Sequence, residues 1–298
     1  MTTFKRLICV IVLMALTLTA SACSDGSGDV RVTPGTEVTL PVLMYHHLAE
    51  TGDSSVTIST ALFEEHLKWL TDNGWNTVSF DEVLAYVEEG VPLPENPYCI
   101  VFDDGYASNY ELAFPLLREY NAKATICVIG CDVGLSTYKD TAYPIIPHFG
   151  WDEAREMVKS GLISIQHHTY DMHQWAPYET DSARENVLIF EGESEADYTA
   201  IFTDDYNRLA KMICDNLGYT STVFAYPGGR YDALSEQIVR SLGAKVTLTT
   251  DYGVSVIRSC EPESVFLLKR CNMNELVDIY ALQCALAGVI PEPTEEIQ

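Results

Sequence analysis

The stretch Ile100-Val101-Phe102-Asp103-Asp104-Gly105 is the most informative segment of this chain, because an apolar strand, predicted from Tyr98, runs directly into two acids and a glycine. A carboxylate at the end of a buried strand is costly unless a metal, a proton or a charged partner compensates for lost hydration. Because side chains alternate along a strand, Asp103 and Asp104 should point in different directions and have different roles. Gly105 allows the sharp turn that ends the strand, although Asp-Asp-Gly is also an ordinary turn sequence.

A second apolar strand runs into a cluster of potential ligands in Ile165-Gln166-His167-His168-Thr169-Tyr170-Asp171-Met172-His173. Imidazole nitrogens with a carboxylate oxygen form a mixed donor set that suits Zn²⁺ and neighbouring divalent metals. Asp104, His168 and His173 would supply three protein ligands and leave positions open for water, which is typical of a catalytic metal. Isolated histidines are usually core or surface residues, but several at one strand end predict a metal site.

Short apolar strands alternate with helical patterns along most of the chain, which predicts a parallel α/β sheet. The predicted strands are 41–45, 76–79, 98–102, 124–129, 163–166, 221–225, 245–249 and 265–268. The predicted helices are 60–73, 80–89, 108–120, 151–159, 198–216, 235–242 and 275–287, and the polar stretch 175–197 interrupts the pattern. About seven strand–helix units, with candidate site residues following the strands, favour a barrel over an open sheet.

The chain of 298 residues is acidic, with 18 Lys and Arg against 43 Asp and Glu and a formal net charge of −25. This balance argues against nucleic acid or an anionic membrane surface as a partner, because both would repel the protein. A neutral or cationic glycan is compatible with the charge. The nine cysteines include no CxxC pair, which argues against a structural zinc ribbon.

Residues 1–22 are predicted to be a signal peptide, in which Lys5 and Arg6 precede an apolar run. That run, 7–20, is shorter than the roughly 20 residues that a membrane-spanning helix needs. Ala20-Ser21-Ala22-Cys23 resembles a bacterial lipobox, which would make Cys23 a lipid anchor, but it also fits a plain signal-peptidase site. We therefore expect an exported protein, either a cell-surface lipoprotein or a secreted one. A flexible tether over 23–39 would then lead to one domain over 40–290.

Together these motifs resemble the polysaccharide deacetylase family of carbohydrate esterases, also called the NodB-homology domain. Phe102-Asp103-Asp104-Gly105 matches the first family motif, and His168-Thr169 with His173 is similar to the second. The longer spacing of the second motif, and the opening strand Pro41-Val42-Leu43-Met44-Tyr45-His46-His47, resemble the branch that acts on poly-β-1,6-N-acetylglucosamine. The resemblance extends from about residue 40 to about residue 272 and implies a distorted (β/α) barrel.

The resemblance also implies a mechanism. Asp104, His168 and His173 would bind a divalent metal, with Zn²⁺ expected and Ni²⁺, Co²⁺ or Fe²⁺ as alternatives. Asp103 would be the general base that takes a proton from the attacking water. The backbone N–H of Gly228, in the third motif, would donate to the oxyanion.

The chain departs from the family pattern in two places. Ala225 stands where the third motif normally has the Arg that steadies the catalytic Asp, and 267–270 contains no His to serve as general acid. The leaving amine would then be protonated by Asp103, His47 or His148. The candidate substrate contacts are Tyr226, Pro227, His47 and His148, and the aromatic residues that could stack on sugar rings are Tyr106, Tyr170, Trp175, Tyr226 and Tyr231.

The predicted function is metal-dependent hydrolysis of N-acetyl groups from an extracellular amino-sugar polymer, poly-N-acetylglucosamine or a related cell-surface glycan, with release of acetate. The alternative is a catalytically impaired surface lipoprotein that binds glycan, which the two motif departures favour. A glycosidase is disfavoured, because its two acids face each other across the substrate rather than standing side by side. A solute-binding lipoprotein is disfavoured because it needs two lobes.

Overall fold

The computed structural model describes residues 30–52, 56–179 and 183–291. The strands are β1 (Glu37–Leu40), β2 (Val42–Tyr45), β3 (His47–Ala49), β4 (Thr57–Ser59), β5 (Asn76–Thr77), β6 (Pro97–Asp104), β7 (Ala124–Val128), β8 (Ile163–His167), β9 (Val223–Ala225), β10 (Val246–Leu248), β11 (Ser255–Arg258) and β12 (Cys271–Asn272). The helices are α1 (Thr60–Asp72), α2 (Phe80–Glu89), α3 (Phe114–Glu119), α4 (Trp151–Lys159), α5 (Glu195–Leu217), α6 (Ala233–Ser241) and α7 (Ile279–Leu286).

The main sheet curls into a distorted barrel, as the sequence predicted. Seven strands follow the order β10-β9-β8-β7-β6-β2-β12, and every neighbouring pair is parallel. Leu268, three residues before β12, forms a parallel bridge to Leu248 of β10. The two ends of the sheet therefore approach each other through the segment that leads into β12.

The register of the central strands brings their carboxyl ends to one edge. Asp104 of β6 pairs with Val128 of β7, and Val128 pairs with His167 of β8. Loops that follow parallel strands all leave the sheet at this edge, which is where sites form in α/β barrels. The segments after β6, β7, β8 and β9 can therefore contribute to one site.

Strand β6 is buried at all eight positions, as expected for a parallel strand that is covered on both faces. Ile100 and Phe102 pack in a core cluster that includes residues of α1, α4 and α7. The alternate residues Cys99 and Val101 pack in a second cluster, with residues of α2, β9 and β10. This alternation assigns the two faces of β6 to different surroundings before the strand reaches its two acids.

Several predicted boundaries need correction. Residues 37–39, expected in the tether, belong to β1, which pairs antiparallel with β11, so the compact unit begins at Arg31. The last predicted strand, 265–268, is wrong, because a 3₁₀ turn occupies Pro262–Val265 and the strand lies at Cys271–Asn272. Helix α5 begins at Glu195, inside the predicted polar stretch.

The predicted signal peptide, 1–22, and the lipid-anchor residue Cys23 lie outside the described residues. Within the described part of the chain, no helix combines the length and the apolar character needed to cross a bilayer.

Candidate active site

Three candidate metal ligands meet at the carboxyl edge of the barrel. Asp104 ends β6, His168 directly follows β8, and His173 lies further along the same loop. One ligand atom from each residue lies within 4.8 Å of the other two. The two imidazole rings are nearly perpendicular, with 5.2 Å between their centroids. The structure thus brings together the three residues that the sequence analysis predicted as metal ligands.

Backbone carbonyls determine which ring nitrogen carries the proton in both imidazoles. Nδ1 of His168 lies 2.8 Å from the carbonyl oxygen of Ala225, and Nδ1 of His173 lies 3.1 Å from that of Glu185. Because a carbonyl oxygen only accepts hydrogen bonds, each Nδ1 carries the proton and donates it. In the neutral imidazoles the lone pair is therefore on Nε2, and a hydrogen bond of this kind is typical of metal-binding histidines.

The lone pairs of the two Nε2 atoms face a carboxylate oxygen of Asp104. Nε2 of His168 and Nε2 of His173 lie 3.5 Å and 3.8 Å from Oδ1 of Asp104. Burial lowers the pKa of His168, which favours its neutral form. Among the described residues, Oδ1 of Asp104 is buried without a hydrogen-bond partner. Lone pairs that face one another in this way are favourable only around a cation. These residues therefore fit a divalent metal with nitrogen and oxygen ligands.

The backbone around the ligands is held in an unusual conformation. Asp104 and Thr169 have φ values of 72° and 70°, which residues other than glycine rarely adopt. The buried His167 accepts the N–H of Thr169 at Nδ1 and donates from Nε2 to the carbonyl oxygen of Tyr206, both at 3.0 Å. Burial lowers the pKa of His167 to about 3, so its ring is neutral. His167 therefore fixes the turn that presents His168 and is not itself directed to the ligand cluster.

Asp103 has a buried cationic partner that the sequence analysis missed. Nη1 of Arg270 lies 2.8 Å from each carboxylate oxygen of Asp103. Nε of Arg270 donates to the carbonyl oxygen of Thr249 at 2.6 Å, and the Arg270 side chain is fully buried. Arg270 thus orients Asp103 in a chain that has Ala225 in the usual Arg position.

Charge compensation sets the ionisation of both acids. Burial raises the pKa of Asp103, but the Arg270 guanidinium, followed by His168, outweighs burial and holds this pKa well below its usual range. Burial also raises the pKa of Asp104, and the fields of His173, His46 and His168 reverse that effect, so its pKa is lowered. Both carboxylates are therefore ionised at neutral pH.

His46 is a second residue that the sequence analysis missed. Its imidazole contributes to the lowered pKa of both Asp103 and Asp104, so its field reaches the two acids. Among the described residues, its Nδ1 is buried without a hydrogen-bond partner. The neighbouring His47, which the sequence analysis named, packs against the ring of Tyr106 with 5.4 Å between centroids, and its Nδ1 lies 2.8 Å from Oγ of Ser108.

His148 lies next to the cluster behind the ring of Tyr106, with 4.9 Å between the two ring centroids. Burial lowers the pKa of His148 to about 4. A histidine that is neutral at physiological pH has no extra proton to give to an amine, which weakens the prediction that His148 is the general acid.

The third motif lies in a 3₁₀ turn, Pro227–Gly229, that follows β9. Tyr226 is fully buried and its hydroxyl donates to Oε2 of Glu236 at 2.7 Å, so its side chain has no free surface for a glycan. Pro227 is also buried. Gly228 has a φ of 57° in this turn, and its role as an oxyanion donor stays a prediction.

Fold and site together define a parallel α/β barrel protein with a candidate divalent-metal centre at the carboxyl ends of its strands. A family model described as polysaccharide deacetylase matches residues 90–247. The chain belongs to the polysaccharide deacetylase family, as the motif resemblance predicted.

Known relatives support this assignment. A Bacillus subtilis protein, YxkH, provisionally named a polysaccharide deacetylase, is 30% identical over 72% of this chain and 66% of its own length. The poly-β-1,6-N-acetyl-D-glucosamine N-deacetylase of Escherichia coli is 24% identical over 67% of this chain, which spans only 32% of that enzyme. The structure of IcaB from Ammonifex degensii matches with a TM-score of 0.67 at 26% identity, covering 86% of this chain and 97% of that chain.

Metal binding tests the ligand cluster directly. After treatment with a chelator, we expect the protein to bind one equivalent of Zn²⁺ in a competition titration with a chromophoric chelator. His173→Ala should lower the affinity by at least about 100-fold, because it removes a ligand. His47→Ala is the matched control and should bind like the wild type. Equal Zn²⁺ affinity in His173→Ala and the wild type would contradict the proposed ligand set.

The Arg270 pair predicts a change in the pH dependence of stability. In Arg270→Met, burial of Asp103 is no longer compensated, so its pKa should rise above the unfolded value of about 3.9. The unfolded state then binds fewer protons than the native state, and the free energy of unfolding should fall as pH rises through this window. At neutral pH the loss should be about 3 kcal/mol.

The control is the double variant Arg270→Met with Asp103→Asn, because Asn does not titrate. Urea unfolding of both variants at several pH values isolates Asp103, since all other titrating groups are common to both. In the wild type the Asp103–Arg270 pair stabilises the fold above the unfolded pKa of Asp103. This stabilisation is lost only as pH falls through the lower pKa that Asp103 has in the folded state. A constant difference between the two variants across pH would show that Arg270 does not control Asp103.

Proposed function

We propose that this protein is a metal-dependent deacetylase that hydrolyses N-acetyl groups of an amino-sugar polymer and releases acetate. The observation that carries the proposal is the neighbouring pair of acids with separate partners, Asp104 toward two histidines and Asp103 toward Arg270. This arrangement supplies both a metal site and an ionised carboxylate that is kept out of it. Membership of the polysaccharide deacetylase family supports the same chemistry.

The chemistry divides among the chain's own residues. A divalent ion held by Asp104, His168 and His173 would supply Lewis-acid polarisation of the acetamide carbonyl and a lowered pKa of water. Asp103 accepts the proton of the attacking water, and Arg270 keeps this carboxylate ionised and oriented for the transfer. The low exposure of Asp103 excludes bulk water from the proton transfer.

We assign the proton donor for the leaving amine to His46. Hydrolysis of an amide needs this proton because a free amide anion is a very poor leaving group. The field of His46 reaches both acids, and its buried Nδ1 has no partner among the described residues. The protonated imidazole would give its proton to nitrogen as the C–N bond breaks, and the products are acetate and a free amine.

The substrate proposal is poly-N-acetylglucosamine or a related cell-surface glycan. The relative from Escherichia coli is named for that polymer, and this chain spans about a third of that enzyme. The net charge of −25 fits a neutral polymer that becomes cationic as its acetyl groups are removed. We further propose that the chain is exported, with one catalytic domain, and is retained at the cell surface where Cys23 carries a lipid.

A glycan-binding protein without activity is the second candidate. The missing Arg of the third motif favoured it, but Arg270 now occupies that role from another part of the chain. The missing late His also favoured it, and His46 offers a replacement. The proposed ligand, base and proton-donor residues are then all present, which supports the enzyme over the binding protein.

Acetate release from partially acetylated glucosamine oligomers tests the proposal. We expect wild type to release acetate and a chelator to abolish release. Asp103→Asn should retain Zn²⁺ but lose turnover by about 10²–10⁴-fold, because it lacks the general base. Retained metal with undiminished turnover in this variant would reject Asp103 as base, and wild type that holds metal but releases no acetate would favour the binding protein.

Two adjacent histidines provide a matched test of the proton donor. His46→Gln should slow acetate release from the amide by about 100-fold, whereas hydrolysis of para-nitrophenyl acetate should change much less, because a nitrophenolate leaves without protonation. His47→Gln should affect neither reaction strongly. A selective loss of amide hydrolysis in His47→Gln, and not in His46→Gln, would transfer the role to His47.

A further inference from the structure

A row of aromatic rings lies in the loops that follow β7 and β8 and has no role in the chemistry described above. The rings of Tyr143 and Tyr178 are stacked, with 4.8 Å between centroids and 6° between planes. The ring of Trp175 lies 6.4 Å from that of Tyr178. Trp175 and Tyr143 are 61% and 52% exposed, so large apolar faces are open to solvent. We call these three residues the aromatic platform.

The platform is built from two loops that leave the same edge of the barrel. Tyr143 belongs to the loop after β7, and Trp175 and Tyr178 belong to the loop after β8. Trp175 follows His173 by two residues, which limits the separation of their Cα atoms to about 7 Å. The platform therefore begins within two residues of a candidate metal ligand.

Polar contacts fix the two loops to each other. The Tyr138 hydroxyl donates to Glu179 and accepts the N–H of Trp175 at 3.3 Å. Nζ of Lys139 binds Glu179 and lies 2.8 Å from Oδ1 of Asp171 in the ligand-bearing loop. The platform is thus tied to the segment that carries His173. Rings held in place before binding lose little conformational entropy when a ligand stacks on them.

We propose that the aromatic platform is a binding subsite for a sugar ring of the amino-sugar polymer next to the one being deacetylated. The C–H faces of a pyranose are apolar, and they match the exposed faces of Trp175 and Tyr143, while sugar hydroxyls remain in water. Lys139 is paired with Asp171 and Glu179, so the surroundings offer hydrogen bonds without a strong cationic field. This combination fits a neutral glycan.

The inference rests on the proposed function. The length of the saccharide substrate distinguishes a failure of the subsite from a failure of the proposed function. A β-1,6-linked N-acetylglucosamine hexasaccharide can place a ring on the platform while the neighbouring sugar lies at the metal centre, whereas the monosaccharide N-acetylglucosamine has no second ring to place there. Trp175→Ala with Tyr143→Ala should lower the ratio of kcat/KM for the hexasaccharide to that for the monosaccharide by about tenfold, mainly through KM. Trp175→Phe should restore much of the ratio, because it retains a stacking face.

Tyr280→Ala is the matched control, because Tyr280 is 50% exposed and belongs to α7, outside the two platform loops. Its ratio should equal that of the wild type. An unchanged ratio in the platform variants would overturn the subsite, as would a loss of self-association in those variants without a change in the ratio.

If the wild type releases no acetate from either substrate, the proposed function fails but the platform remains testable. Binding of the hexasaccharide, followed by calorimetry, should then be about tenfold weaker in the platform variants than in Tyr280→Ala. Equal affinity in all these variants would reject the platform as a glycan site.

Discussion

The site depends on how two adjacent buried carboxylates are compensated. Asp103 and Asp104 are 2% and 8% exposed, and two unpaired charges at such positions would be strongly unfavourable. The structure separates their partners, with Arg270 binding the first acid and two imidazoles facing the second. The left-handed backbone at Asp104 accompanies this separation. Strain of this kind persists only where the surroundings impose it, and it is concentrated at functional sites.

The barrel supplies these partners because its parallel strands end at a common edge and its last strand returns beside the first. The two histidines that face Asp104 come from the loop after β8, and β8 is two strands away from β6 in the sheet. Arg270 precedes β12, which pairs with β2, and its backbone N–H donates to the carbonyl oxygen of Asp251 after β10. Closure of the barrel therefore positions the partner of Asp103 as well as the core.

The sequence predicted the parts of the site that are contiguous. Apolar strands that run into acids or histidines are visible in one short window, and the parallel fold then brings such ends together. Arg270 is 167 residues from Asp103 in sequence and stands beside Lys269, so nothing local distinguishes a buried cation from an exposed one. The same limit applies to His46 and His47, because the chain leaves regular β2 before them and alternation no longer assigns their directions. The last strand was misplaced because it has only two residues, too few for a pattern.

In the proposed mechanism, Arg270 also makes the base and the metal site interdependent. By holding the pKa of Asp103 well below its usual range, Arg270 keeps the carboxylate ionised but makes it a weak base toward ordinary water. Proton transfer to such a base is effective only when the acidity of the water is raised to match it, which is what a divalent ion at Asp104 would provide. Neither acid is then sufficient alone. The strong compensation at Asp103 is therefore easier to understand in an enzyme that holds a metal than in a protein that only binds glycan.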